Sequence, residues 1–591
     1  LEILFFYQYA IIVPTFIQNK TISANLAKFL DIILVYFDFT IIFRKFVCVI
    51  IKKIQNPFNN NTIDRLMKNL RLALIAIAST CLASTAGIHQ HYNNPIIPGY
   101  HPDPSICRVN DDYYLVNSSF HYFPGVPIYH STDLVNWELI GHCLSRSEQV
   151  DLSGANFGSG IFAPTIRYNN GTFYMITTNV SHDGNFIVYT DNPANEWSNP
   201  IKVEQGGIDP SLFFENGKCY MVSNPDGYLT LCEINPLTGE TLSPSRKLWT
   251  GTGGRYPEGP HIYKKDGYYY LLISEGGTEY AHNITIARSR DIYGPYESNP
   301  ANPILTHCNQ IGQNNQIQGT GHADLVQAPD GSWWMVCLAF RTQSGNHHLL
   351  GRETFLTPVR WDDDAWPVVN GNGTIQLEMC ADLPNQISQQ TSLSFKQNIS
   401  AKHHLDNNWV YLRKKVDENY KYTDNSIRLY GTQESLNSPE YPTFIGRPLQ
   451  NINFSATTNL RLNGNNTGDK AGLSLFMDAN SHYDISIRQN LNGKNEVVVE
   501  YWLGELHHIE CAIELSSNKC ALRVSGNEGY YTFYYSENNR DYRQLAKMDV
   551  KYLSSETAGG FTGIMIGLFA ESTKASSKSF GEFYSFEYEQ E

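Results

Sequence analysis

Three carboxylates and a histidine fall at one position of a repeated pattern: Asp103 in "HPDPS", Asp209 in "IDPS", Glu258 in "PEGP" and His322 in "GHAD". An Asp before Pro often only starts a turn. Three in step are harder to assign to turns, because a charge buried without a partner is expensive. Carboxylates that converge in an aromatic pocket can act on a glycosidic bond, one as a protonated acid at the leaving oxygen and one, ionised, to activate water or attack directly. A third can hold the acid's proton in place, since like charges at close range resist joint ionisation. Pro102 and Pro104 limit backbone freedom beside Asp103, which suits a group that must stay fixed.

The elements that would bring these residues together are five similar hairpins. "NDDYYLV", "NNGTFYMI", "ENGKCYMV", "KDGYYYLL" and "PDGSWWMV" each join a turn pair to an aromatic-rich strand. Their second turn residues, Asp111, Gly171, Gly217, Gly267 and Gly331, are spaced by 60, 46, 50 and 64. Each interval leaves room for two more strands, such as "NFIVYTDNP" and "NITIARSRD", so the pattern predicts five four-stranded blades of a β-propeller. A β-sandwich with coincidentally similar hairpins is the competing fold. In a propeller the innermost strands start near one central channel. Eight residues back from each marker lie Asp103, Ala163, Asp209, Gly259 and Ala323, and nine back in the last two lie Glu258 and His322.

The other segments differ in kind. Residues 1–66 hold no Met, Gly or Trp, and the first methionine, Met67, opens "MKNLRLALIAIASTCLASTAG". Residues 67–86 therefore read as a secretory signal peptide cut after Ala86, and 1–66 as spurious upstream translation. Export to periplasm or medium is expected, with a lipoprotein anchor at Cys81 as the alternative. The all-β reading then gives a propeller over 87–380, a linker over 381–400 and a β-sandwich over 401–591, where alternating runs such as "GLSLFMDA" and "NEVVVEYWL" lack the hairpin repeat. The nine remaining cysteines show no C-x-x-C pair and read as buried small residues with at most a bridge or two and no metal site. A net charge of −14 argues against a nucleic-acid partner, and the segment "IILVYFDFTIIF", broken by Asp38, falls short of a membrane span.

The motifs "NPIIPGYHPDPSICR", "GIFAPTIRY", "GIDPSLFF", "RYPEGPHIY", "SEGGT", "GTGHADLV" and "LGRETFL" together resemble glycoside hydrolase family 43, in particular its β-xylosidase and α-L-arabinofuranosidase members. The likeness runs from about residue 94 to 380. From "HHLDNNWVYLR" onward the chain resembles the concanavalin-like (jelly-roll) sandwich that follows the propeller in many of those β-xylosidases.

The resemblance implies an inverting exo-hydrolase with Asp103 as general base, Glu258 as general acid and Asp209 orienting Glu258 and keeping it protonated. Inverting sites hold base and acid about 6.5 to 9.5 Å apart to admit water. It implies that Arg352 contacts the sugar and the modulating carboxylate, and that His322 lies on the pocket floor. Phe120, Phe162, Ala163 and Thr278 join the sugar-binding set, and Phe561 is lent to it by the sandwich. No cofactor is required. Some members hold calcium through water near the histidine, and here no carboxylate cage for it is evident. One departure is His121, where members often carry an acidic residue. The implied substrates are xylo-oligosaccharides or arabinoxylan fragments. Terminal xylose and arabinose present similar ring oxygens and hydroxyls, so both remain open. A carbohydrate-binding propeller without catalysis is opposed by the complete carboxylate set, and a retaining fructan-type hydrolase by the missing "NDPNG" signature.

Overall fold

The repeated turns fold as their residues require. In a computed structural model, which describes residues 88–591 apart from 226, 311–315, 344–345, 389–391 and 577, Asn169 pairs with Thr172, Glu215 with Lys218 and Lys265 with Tyr268. Two residues remain in each turn. Asn170, Asn216 and Asp266 take φ of 49°, 50° and 50°, each followed by a left-handed glycine, which is the type I′ geometry that Asn-Gly and Asp-Gly favour. The fifth hairpin is wider, with Gln327 opposite Trp333.

Each hairpin forms the two inner strands of an antiparallel sheet with four strands in chain order, to which the fourth and fifth sheets add one short strand each, and five such sheets follow one another along the chain. Their innermost strands are Ser105–Val109, Thr165–Asn169, Ile208–Glu215, Glu258–Lys265 and Ile317–Gln327. This is the predicted five-bladed propeller. Its axis is filled by an ionic cluster from four blades. Buried Asp324 accepts from Arg167 Nη1 and Nη2 at 2.7 and 3.1 Å, from Ser105 Oγ at 2.7 Å and from Tyr263 Oη at 2.6 Å, while Arg167 also meets His261 Nδ1 at 2.9 Å. A separate ribbon, Ile88–Asn93 against Glu378–Leu383, packs Tyr92, Met379 and Leu383 with first-blade Ile106 and Leu115 and fifth-blade Trp334 and Leu356. It clasps the seam where the ring closes.

Beyond the propeller, two eight-stranded sheets face each other over a core that includes Leu429, Leu460, Leu473, Ile485, Leu522 and Phe583. Within the stretch read as linker, 381–400, the clasp strand runs to Leu383, and Phe395–Asn398 already pairs with the last strand, Phe580–Gln590. The connection is therefore shorter at both ends than its loss of aromatic residues suggested. One sandwich sheet ends on a strand the propeller supplies: Tyr122–Phe123 pairs with Val410–Leu412. Tyr100, Phe120 and Tyr122 share a core with Leu412, Phe444, Phe476 and Met565. All nine described cysteines are free thiols. No helix among the described residues is long and apolar enough to cross a membrane. The expectations for 1–66 and 67–86 lie outside the described residues.

Candidate active site

The register positions share a backbone device. Asp103, Asp209, Gly259 and His322 take φ of 53°, 51°, 55° and 45°, and the inner strands of the third, fourth and fifth blades carry irregular register at that point. A bulge of this kind bends the strand and re-aims a side chain. Left-handed backbone at an aspartate or histidine costs about 1–3 kcal/mol and persists only where surrounding structure holds it. Ala163 is buried near the same register in the second blade without this backbone and without a charge.

The three carboxylates sit in different electrostatic settings. Asp103 Oδ1 accepts from Arg352 Nη1 at 3.1 Å, its Oδ2 accepts from the Ser118 hydroxyl, and His322 Nδ1 stands 3.8 Å away. Burial works against its charge, but Arg352, His322 and Ser118 outweigh burial and hold the carboxyl below the ordinary aspartate value. Asp209 is equally enclosed and has no arginine; its Oδ2 accepts from Gly259 N at 3.1 Å. Burial, together with the charges of Glu258 and Asp103, pushes it up to about 7 against the pull of His322. Asp209 and Glu258 thus resist ionising together. The Gly259 amide, next in chain to Glu258, ties the two segments.

Arg352 binds a different carboxylate from the one the resemblance implied. Its hydrogen bonds go to Asp103 and to Thr278 Oγ1 at 3.0 Å, so the cation serves the ionised group, while no arginine compensates Asp209. Nη2 of Arg352 is buried and makes no hydrogen bond, leaving one planar donor for a ligand hydroxyl. The guanidinium lies over Phe561 at 4.8 Å and Phe120 at 5.6 Å.

Phe120, Phe162 and Phe561 form a triangle with ring centroids 5.7 to 5.8 Å apart. The sandwich thus delivers Phe561 to the propeller's aromatic wall, and Tyr100 Oη donates to its carbonyl. Gly160 permits the fit, because a Cβ there would come within 2.4 Å of the Phe120 carbonyl. The departing residue, His121, faces elsewhere. It is buried against Tyr122 and Phe157, accepts from Gly158 N at 3.3 Å, and is held neutral by burial and by Arg413.

Sequence reasoning missed His282. It is fully buried in "YAHNIT", with Nε2 3.1 Å from Glu258 Oε1. A count from the hairpin turns cannot reach it, because it precedes a third strand, Asn283–Ser289. Among the described residues no group of three or more His, Cys, Asp or Glu is arranged to hold a metal. Near His322 the Asp103 oxygens are already hydrogen-bonded to Arg352 and Ser118.

Comparison with known proteins gives the same partition of the chain. Residues 92–367 match the model of glycosyl hydrolases family 43, and residues 401–589 that of the beta xylosidase C-terminal concanavalin A-like domain. A non-reducing end alpha-L-arabinofuranosidase of Bacteroides ovatus is 38% identical over 535 residues, covering 88% of this chain and 99% of that protein. A xylosidase/arabinosidase of Butyrivibrio fibrisolvens is 38% identical over 525 residues, covering 84% and 99%. The solved xylan beta-1,4-xylosidase of Bacillus halodurans superposes with a TM-score of 0.79 at 31% identity, over 84% of this chain and all of that one. Matched through both domains and along nearly the whole length of these relatives, the chain belongs to glycosyl hydrolases family 43.

Proposed function

We propose that this glycoside hydrolase releases terminal β-D-xylose from xylo-oligosaccharides by single displacement with inversion, Asp103 acting as base, Glu258 as acid and Asp209 as the group that keeps a proton on the acid. The observation that carries the reading is the opposite treatment of two neighbouring aspartates. Arg352 and Ser118 keep Asp103 ionised, ready to take a proton from water, while Asp209 has no cation bonded to it and sits beside Glu258. Glu258 protonates the glycosidic oxygen as the bond to the anomeric carbon breaks, and water deprotonated by Asp103 adds to that carbon from the other face. Phe561 supports an end-pocket and hence removal of single terminal sugars.

The second reading is α-L-arabinofuranoside cleavage, alone or beside xylosidase activity; the names of the Bacteroides and Butyrivibrio relatives favour it. Product analysis on unbranched xylotriose beside an arabinose-decorated oligomer separates the two. Xylose from the first supports xylosidase action, and arabinose alone from the second supports the other. Proton NMR of the first-formed anomer tests inversion, and retained configuration overturns the assignment of Asp103 as base.

A further inference from the structure

Glu258 has two carboxyl oxygens, and only one of them can hold the proton meant for the leaving group. Oε1 points to His282 Nε2 at 3.1 Å, from a residue with no exposed surface, while the Glu258 side chain keeps 17% of its surface open. Neither ring nitrogen completes a hydrogen bond, so Nε2 is close to Oε1 but out of line with it. Such contacts commonly tighten only when substrate is bound, and a buried polar group without a partner is costly enough to call for an explanation.

His282 is fixed at its backbone and closely packed at its ring. Its own backbone amide donates to Glu279 O at 3.1 Å. Across the ring lies Gly321, where a Cβ would come within 2.0 Å of Cε1 and Nδ1. Only glycine lets the fifth blade approach the ring this closely.

We infer that His282 is a positioning residue for the general acid: its Nε2–H engages Oε1, which places the transferable proton on Oε2 and steadies the carboxylate left once that proton has gone to the glycosidic oxygen. This rests on the role proposed for Glu258. The electron pair of the broken C–O bond goes to the leaving oxygen together with the Oε2 proton. His282 itself gives up nothing.

The test compares leaving groups on the full-length chain. A dinitrophenyl glycoside departs without needing a proton, whereas xylobiose needs one. His282→Phe keeps the ring and removes the donor. It is expected to lower kcat/KM on xylobiose roughly 30- to 100-fold, within the range of acid catalysis, and on dinitrophenyl β-xyloside less than threefold, with His282→Gln recovering part of the loss. Equal losses on both substrates, or wild-type turnover of xylobiose, overturn the assignment. Should the phenylalanine variant fail to fold, His282→Asn, whose amide stops short of Oε1, is judged by the same contrast. A wild type inactive on both xylosides but active on the arabinofuranosyl pair moves the test to that pair. One inactive on all four strikes the proposed function, whereas an active wild type without the leaving-group contrast strikes His282 alone.

Discussion

Glu258 is expected to be indispensable to turnover and dispensable to folding. Glu258→Gln should lose about 10²–10⁴-fold in kcat on xylobiose with an unchanged melting temperature, measured by reducing-sugar release and calorimetry. Asp209 behaves differently. Its ordinary value of 3.8 applies unfolded and about 7 applies folded, so between those values the folded chain keeps a proton that the unfolded chain has released. The contribution of Asp209 to stability therefore falls as pH rises from about 4 to about 7 and is level above. Asp209→Asn removes that cost: it should melt like wild type below pH 4 and higher than wild type above pH 7, while activity drops. A variant that melts lower at pH 8 would contradict the assigned burial of an uncompensated carboxyl.

The segment that carries Phe561 is an element with its own fastening. Glu556, in the short helix Ser555–Ala558, accepts from His348 N at 2.9 Å and meets His348 Nδ1 at 2.7 Å, while His347 Nδ1 contacts Ser554 Oγ at 3.0 Å. Burial opposes the Glu556 charge and His348 more than restores it. Cutting this clip should loosen Phe561 without touching the carboxylates. Glu556→Gln is expected to raise KM about three- to tenfold and change kcat less, and steady-state kinetics on xylobiose checks it. What the sequence discloses at this scale follows from range. The hairpin turns are local, so their Asn-Gly and Asp-Gly pairs announce the blades and, by counting, Asp103, Asp209, Glu258 and His322. Contacts between distant elements leave no such mark. The Arg352 bond to Asp103, the closeness of His282 to Glu258 and the addition of Tyr122–Phe123 to a sandwich sheet each depend on how blades and domains meet. Phe561 was reached only through resemblance, since "AGGFTGIM" has no pattern that separates a pocket wall from a loop.

At the scale of the whole molecule, two features join what the sequence divides. The first is the shared core of Tyr100, Phe120 and Tyr122 with Leu412, Phe444 and Phe476. A chain ending near residue 390 would expose that apolar face and leave Tyr122–Phe123 unpaired. It is expected to aggregate or lose activity, and size-exclusion chromatography with an activity assay decides. The second is the axial cluster. Asp324→Asn leaves Arg167 buried without its counter-charge and should cost about 3–5 kcal/mol, read from denaturant unfolding, with little change in KM for the folded fraction.

The clasp between Ile88–Asn93 and Glu378–Leu383 also sets an order in time. A ribosome makes the chain from one end, so the first blade is complete in sequence more than two hundred residues before the strand that locks its seam exists. Residues 122–123 wait longer still, for a partner at 410–412. Between the synthesis of Glu258 and that of Glu378, a stretch of 120 residues, all three carboxylates exist on a ring that is not yet closed. The aromatic wall around them is completed later still, when the last domain brings Phe561 against Phe120 and Phe162.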